Sequence, residues 1–181
     1  MHNKKFNWEV VKAITLQALA FFCLFEVCLS HAFGQDSSEV DRSAVIEVGG
    51  AGEMDLRGSS SNFGATLAIE KTPIEHWLEL EFGVTVLATS GETELETDLL
   101  FKKPYSFSST AEFMIGAGPD VVRKFDAGEH STSLGVEAVL DFMFWPANNI
   151  GWYLEPSYGY LFERGAERSL GISAGLLVGW P

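Results

Sequence analysis

Close to the C-terminus, residues 169–180 read S-L-G-I-S-A-G-L-L-V-G-W. Every second position from Leu170 to Trp180 is apolar, whereas the positions between them are serine or glycine except for Leu177. Because successive side chains of a β-strand point to opposite faces, this alternation predicts a strand with one wholly apolar face that ends in an aromatic ring. The rest of the chain must show whether that face meets lipid or a protein core.

The N-terminal segment has the features of a targeting sequence. A positively charged start and an apolar run over residues 13–25 are followed by Ala32 and Gly34, which have the spacing of the small residues before a signal peptidase site. This pattern predicts export and cleavage. The predicted organisation is a signal peptide over 1–34, a flexible polar stub over 35–43 and a barrel over 44–181.

The composition after residue 34 excludes several classes of function. Both cysteines, Cys23 and Cys28, lie before it, so the mature chain is predicted to hold no disulfide and no thiolate metal site. Residues 1–34 contain three of the 12 basic and two of the 25 acidic residues, which leaves a mature chain with a formal charge of -14. Such an acidic chain is a poor candidate for nucleic-acid binding. No run of eighteen apolar residues follows the signal, so any membrane crossing must use strands.

Alternating segments recur along the mature chain and are separated by turn-forming residues. The predicted strands are Ala44–Leu56, Ser61–Lys71, His76–Thr89, Glu92–Lys102, Ser106–Val122, Ser131–Phe144, Gly151–Glu163 and Arg168–Trp180. An even number of strands places both termini at one end of a barrel. The turns at Pro73, Pro104 and Pro146 share that end, which we expect to be periplasmic, and the connections at Gly58, Gly91, Gly128 and Gly165 face outward.

Each predicted strand has one apolar face, and the opposite faces carry most of the acidic residues. In the third strand, for example, Phe82 and Val84 alternate with Glu81 and Gly83. Large aromatic residues lie beside the turns at one end, as in a girdle at a membrane–water interface. The predicted girdle residues are Trp77, Phe101, Tyr105, Phe144, Trp145, Trp152 and Trp180. We therefore predict an all-β, eight-stranded antiparallel up-and-down transmembrane β-barrel. The alternative is a soluble periplasmic β-barrel whose apolar face points inward and binds a small apolar ligand.

The predicted barrel resembles the small eight-stranded outer-membrane proteins of Gram-negative bacteria, broadly the OmpX and OmpW kind, over the whole mature chain. The segments F-K-K-P-Y (101–105), L-D-F-M-F-W-P (140–146) and G-W-Y-L-E-P (151–156) are similar to those of uncharacterised proteobacterial barrel proteins. The resemblance implies a place in the outer membrane, contact with its lipid and insertion by the barrel-assembly machinery. It implies no particular activity.

The acidic face predicts a lumen lined by carboxylates. The candidate residues are Glu79, Glu81, Asp98, Glu112, Glu137, Asp141 and Glu155. The inward basic residues, Arg57, Lys102 and Lys124, are expected nearer the strand ends, so carboxylates outnumber cations in the middle. Packed carboxylates must be protonated, hydrated or bound to a cation. Two alternatives follow: a site for a cation or a basic ligand, with oxygen ligands suited to a hard divalent ion, or a polar interior satisfied by hydroxyl groups and trapped water.

Basic residues are expected at the outward rim. These are Arg57, Arg123, Lys124, Arg164 and Arg168. They either pair with the phosphates of lipopolysaccharide or are ordinary solvated charges.

The sequence offers little for catalysis. His130 shares a strand face with Thr132, whereas Ser131 and Ser133 point to the other face, so no histidine–serine pair is aligned. A lipid A-modifying barrel enzyme is therefore a distant alternative, and we predict no enzymatic activity and no cofactor. Because eight strands enclose a narrow interior that side chains fill, an open channel is also disfavoured. The predicted function is structural, or an interaction at the cell surface.

Overall fold

A computed structural model of the protein describes residues 42–57, 61–89, 92–108, 110–126, 129–163 and 166–180. The predicted signal peptide, most of the predicted stub and Arg164 lie outside these ranges. The described strands are β1 (Ala44–Asp55), β2 (Ser61–Ile74), β3 (Leu78–Thr89), β4 (Glu92–Ser108), β5 (Ala111–Asp126), β6 (Glu129–Phe144), β7 (Ile150–Leu161) and β8 (Arg168–Trp180).

The eight strands form one closed antiparallel barrel in which every strand pairs with its neighbours in the chain. The C-terminal strand closes it, since β8 pairs with β1 from Ala44 opposite Trp180 to Asp55 opposite Ser169. Closure leaves the sheet without a free edge along most of its length. The predicted eight-stranded up-and-down architecture is thereby confirmed. None of the described residues forms a helix long and apolar enough to span a membrane.

The barrel has two distinct ends. β1 begins and β8 ends at what we call the terminus end, where the connections after β2, β4 and β6 also lie. The connections after β1, β3, β5 and β7 lie at the opposite end, which we call the loop end.

Apolar side chains cover the outer face of the barrel, and acidic side chains point inward. In β3, Phe82 and Val86 are 49% and 44% exposed, whereas Glu81 and Leu87 are buried. The same alternation runs along β2, where Leu67 is exposed and Glu70 is buried. A soluble barrel with an apolar cavity requires the opposite arrangement of faces, so the structure contradicts that alternative.

The predicted turn at Pro104 is wrong, because β4 continues through Pro104 to Ser108. Pairing between β3 and β4 extends only as far as Glu79 opposite Lys102, and beyond it β4 pairs with β5 alone, with Pro104 opposite Met114. A strand with a neighbour on one side needs fewer backbone donors, so it tolerates a residue without an N–H group. The turn follows Ser108, and Lys102 lies well inside the strand.

The predicted turn at Pro73 is also displaced. β2 continues to Ile74, with an irregular register between Lys71 and Ile74, and the Trp77 N–H group donates to the Ile74 carbonyl at 3.1 Å. His76, predicted to begin the third strand, instead lies in this turn with a φ angle of 58°. Proline is tolerated here because the strand is irregular and close to its end. The Pro146 turn is confirmed, since residues 146–149 connect β6 to β7.

Gly118→Ala is expected to destabilise the barrel by about 1–3 kcal/mol, the usual cost of overpacking. A Cβ atom at Gly118 would overlap the backbone of Leu99 on the neighbouring β4. Urea unfolding in detergent micelles measures the change. The control is Gly50→Ala, where the nearest atom to an added Cβ is the Gly64 carbonyl oxygen at 3.8 Å. Equal stabilities of the two variants would contradict the close approach of β4 and β5.

The carboxylate-lined lumen as a candidate functional site

The terminus end of the lumen is filled by apolar side chains. The cluster consists of Val45, Met114, Met143, Trp145, Tyr153 and Leu177. Trp145 is only 3% exposed. Its backbone N–H group donates to the Thr110 carbonyl at 2.9 Å, and this hydrogen bond fixes the residue at the terminus end. This burial corrects the prediction that Trp145 belongs to the aromatic girdle: its ring turns inward where β6 ends.

Arg42, within the predicted stub, also belongs to this closure. Its guanidinium carbon lies 3.8 Å from the centroid of the Trp145 ring, a cation–π contact. The guanidinium also donates to the Asn148 carbonyl at 3.1 Å and to the Glu112 carboxylate at 3.2 Å. Glu112, one of the predicted lumen carboxylates, therefore pairs with a basic side chain at the terminus end.

On the loop-end side of this apolar cluster, five carboxylates lie near one ammonium group. Lys102 is fully buried, and its Nζ atom contacts Glu81, Asp141 (2.9 Å) and Glu155 (2.7 Å). Glu47 and Glu70 are also buried, and one oxygen each from Glu47, Glu70, Glu81 and Asp141 lies within 4.8 Å of the others. We call Lys102 and these five carboxylates the lysine cluster. Its ammonium group was expected near a strand end but lies inside the barrel, because β4 continues past Pro104.

The lysine cluster holds more negative than positive groups. An interior of low dielectric constant does not sustain five ionised carboxylates beside one ammonium group without protons, water or further cations. Glu79, another predicted lumen residue, is half-buried on the inner face of β3, two positions from Glu81 of the cluster. Lys102 therefore neutralises only part of the charge that the strands direct inward.

A second group of carboxylates lies inside the loop end. Glu53 of β1 and Glu94 and Glu96 of β4 place one carboxylate oxygen each within 4.8 Å of one another. We call these three residues the mouth cluster. Lys124 of β5 contacts Glu94 at 3.4 Å and Glu167 at 2.7 Å, at the rim of the cluster.

Two small cavities lie between the rim and the lysine cluster. One, of about 50 Å³, is lined by Asp98, Glu137 and Glu155 together with serine and threonine hydroxyls. The other, of about 20 Å³, is lined by the mouth cluster, Asp120 and Glu137. Each is large enough for water molecules and far too small for an organic ligand.

The structure therefore places all seven predicted lumen carboxylates on the inner face, but it divides them between separate surroundings. Glu81, Asp141 and Glu155 join Lys102, Asp98 and Glu137 line the cavities, and Glu79 and Glu112 lie towards the terminus end. The predicted lumen set omits further acidic residues of the inner face, and six of these belong to the clusters and cavities described above. These are Glu47, Glu53, Glu70, Glu94, Glu96 and Asp120. Strand alternation is the signal that identifies them, since each shares a face with inward neighbours two residues away.

The basic residues predicted at the rim differ in their surroundings. Arg57, Arg123 and Arg168 are exposed at or near the loop end, and Arg164 lies outside the described residues. Lys124 instead points into the lumen, where Glu94 and Glu167 hold its ammonium group. This corrects the expectation that Lys124 is free to contact lipid phosphates.

The other aromatic residues of the predicted girdle lie on the outer face. Trp77, Tyr105 and Trp180 are exposed near the terminus end. Phe144 and Trp152 stack with ring centroids 4.1 Å apart. Phe101 is exposed but lies within β4, away from its end, because the strand is longer than predicted.

Two of the residues considered for catalysis point to opposite faces of β6. Ser133 is buried and its hydroxyl contacts the Glu163 carboxylate, whereas Thr132 is exposed on the opposite face of β6. The side chain of His130 lies outside the described part of the structure.

A closed eight-stranded barrel with an apolar exterior and a filled, polar interior is the architecture of small outer-membrane β-barrel proteins. Among solved structures, Neisserial surface protein A has a TM-score of 0.61 at 17% identity, covering 76% of this chain and 96% of that chain. OprG from Pseudomonas aeruginosa has a TM-score of 0.59 at 10% identity, covering 80% and 99%. Ail of Yersinia pestis has a TM-score of 0.52 at 13% identity, covering 77% and 99%. No protein-family model and no curated protein sequence matches the chain. The likeness establishes the fold.

Proposed function

We propose that this protein is a small, non-enzymatic and non-conducting β-barrel of the Gram-negative outer membrane, with a structural or surface-interaction role in the envelope. The observation that carries the proposal is a closed barrel with an apolar outer face around a plugged lumen. The fold that it shares with Neisserial surface protein A and OprG supports the same assignment.

The outer face suits a bilayer. Exposed Leu67 of β2 lies beside Val48 of β1 and Val84 of β3, so large apolar side chains adjoin one another across three strands. A continuous apolar surface of this kind is unfavourable in water and favourable in lipid. β1 begins and β8 ends at the terminus end, which in outer-membrane barrels is the periplasmic end. The loop end then faces the cell exterior.

The filled lumen argues against transport through the barrel. Met114, Tyr153 and Leu177 are almost completely buried at the terminus end, and Lys102 is fully buried above them. None of these four side chains lines either of the two small cavities described above. Eight-stranded barrels have an interior that side chains occupy, which is consistent with a non-conducting protein.

Lipopolysaccharide is the partner that we propose at the loop end. The segments that carry Arg57 and Arg168 adjoin there, since the N–H group of Leu56, the residue before Arg57, donates to the Arg168 carbonyl at 2.8 Å. Two exposed guanidinium groups on adjoining segments are suited to contacts with phosphate. Arg123 offers a further exposed guanidinium at the same end.

Cell fractionation tests the membrane assignment. The expressed protein is expected in the outer-membrane fraction and in detergent extracts, with an unboiled band that migrates differently from the boiled band. The physical reason is that a closed barrel stays folded in detergent until heating separates its strands. Recovery in the soluble periplasmic fraction, with one band under both conditions, would contradict the proposal.

Conductance measurements test the closed lumen on the same heat-modifiable material. Inserted into a planar lipid bilayer, the folded protein is expected to carry no steady ion current, because apolar side chains and Lys102 obstruct the path. The boiled sample controls for leakage caused by detergent. A reproducible current from the folded sample alone would overturn the non-conducting assignment.

A further inference from the structure

We propose that the mouth cluster binds a hard divalent cation, with Ca²⁺ preferred, and that Asp120 lines the adjoining cavity where water completes the coordination. The proposal rests on the proposed outer-membrane location, which exposes the loop end to the external medium. It assigns a specific position to a cation within the lumen, away from the lysine cluster.

The spacing of the oxygens suits a single ion. Ca²⁺ binds oxygen ligands at about 2.3–2.6 Å, so two ligands on opposite sides of one ion lie about 4.6–5.2 Å apart. Oxygens from Glu53, Glu94 and Glu96 all lie within 4.8 Å of one another. Glu94 and Glu96 are two positions apart on the inner face of β4, and Glu53 reaches them from β1. The strands therefore bring three carboxylates to one point.

An independent observation concerns the adjoining side chain of Asp120. It is 7% exposed, it lines the same cavity as the three glutamates, and its Oδ1 atom has no hydrogen-bond partner among the described residues. Asp98, which lies opposite Asp120 in the β4–β5 ladder, is 8% exposed and also has an Oδ1 atom without such a partner. Buried carboxylate oxygens normally have partners, so the Asp120 Oδ1 atom points to a bound ion or water in the cavity that it lines.

Comparison with the lysine cluster shows what the mouth lacks. There, the ammonium group of Lys102 contacts three carboxylates from inside the barrel. At the mouth, Lys124 contacts Glu94 and Glu167 at the rim. Within the described ranges, no ion pair joins Glu53, Glu96 or Asp120 to a basic side chain. A cation from the medium would neutralise negative charge at the mouth cluster, as Lys102 does in the lysine cluster deeper in the lumen.

The donor set favours Ca²⁺ over Mg²⁺. Carboxylates are the ligands of hard cations, and Ca²⁺ accepts six to eight oxygens in irregular arrangements. Mg²⁺ requires near-octahedral geometry and retains its waters. Three carboxylates fixed on two strands provide an irregular set, and the adjoining cavity beside Asp120 has room for water as a further ligand.

Calorimetric titration of the full mature protein, folded in detergent micelles and stripped with chelator, tests the site. CaCl₂ is expected to bind saturably at one ion per barrel, and MgCl₂ more weakly. Glu96→Gln and Asp120→Asn are each expected to lower the Ca²⁺ affinity by about tenfold or more, since the first removes a ligand charge and the second removes a carboxylate that lies beside the ligands. Glu75→Gln, an exposed glutamate in the terminus-end turn between β2 and β3, is the matched control and should bind Ca²⁺ as the unmodified protein does.

A second readout separates loss of the site from loss of the fold. In chelator, Glu96→Gln should unfold at a urea concentration at least as high as the unmodified protein, because it removes repulsion between carboxylates. Added Ca²⁺ should raise the urea midpoint of the unmodified protein and leave that of the variant nearly unchanged. This pattern would support the site even if calorimetric heats were small.

Two results would overturn the cation site. One is the absence of any Ca²⁺ binding or stabilisation in folded, heat-modifiable protein, which would show that protons and water satisfy the carboxylates. The other is full Ca²⁺ affinity in both variants. Either result leaves the membrane assignment intact, whereas recovery of the protein in the soluble fraction would contradict the proposed function itself.

Discussion

Lys102→Met is expected to lower the free energy of unfolding by about 3–5 kcal/mol, or to prevent the barrel from folding, because it leaves buried charges without their partner. The ammonium group is fully buried and contacts Glu81, Asp141 and Glu155. Methionine retains most of the volume of the side chain, so the substitution tests the charge rather than the packing. Urea unfolding in phospholipid vesicles, followed by the heat-modifiable band, measures the effect.

Two further variants distinguish charge pairing from general sensitivity of this strand. Lys103→Met changes the adjacent, partly exposed lysine, whose ammonium group donates a hydrogen bond to the His76 carbonyl. This variant should alter the free energy of unfolding by about 0.5 kcal/mol or less. Combining Lys102→Met with Glu81→Gln, Asp141→Asn and Glu155→Gln should recover much of the lost stability, since the carboxylates and the ammonium group are then removed together. A Lys102→Met protein as stable as the unmodified one would show that the cluster does not depend on its ammonium group.

Leu67→Arg is expected to destabilise the barrel by about 2–4 kcal/mol in a lipid bilayer. Leu67 is 55% exposed near the middle of β2, with Val48 and Val84 beside it on the neighbouring strands. At the midplane of a bilayer an arginine has no water to solvate its charge. Urea unfolding in vesicles measures the loss.

Met54→Arg is the matched control for depth. Met54 is 46% exposed on the outer face of β1 near the loop end, where an arginine reaches the interface. It should cost about 0–1 kcal/mol. Equal costs at the two positions would mean that the apolar face does not lie in lipid, since an arginine exposed to water is tolerated at either height.

The alternation of residue types was sufficient to predict which side chains face inward. Along β3, the alternation of Glu81, Gly83 and Leu87 with Phe82 and Val86 is a local property of an extended chain, and it holds whatever the strand pairs with. The same reasoning identified the C-terminal strand and the inner carboxylates. It failed at Pro73 and Pro104. A proline ends a strand only where a neighbouring strand needs a backbone N–H donor at that position, and the need for a donor depends on how the strands pair.

The composition of each cluster could not be inferred from alternation. Lys102 meets Asp141 and Glu155 from β6 and β7, and Glu53 meets Glu94 and Glu96 across the barrel, because of the relative register of strands that are distant in sequence. Trp145 turns inward for a related reason. Its position depends on the hydrogen bond from its backbone N–H group to the carbonyl of Thr110, which lies in the connection between β4 and β5. The amino-acid sequence alone determined the eight strands and the identity of their two faces, since a side-chain period of two is encoded residue by residue. Only the tertiary structure decided which inward charges meet, because the stagger between strands is set when the barrel closes.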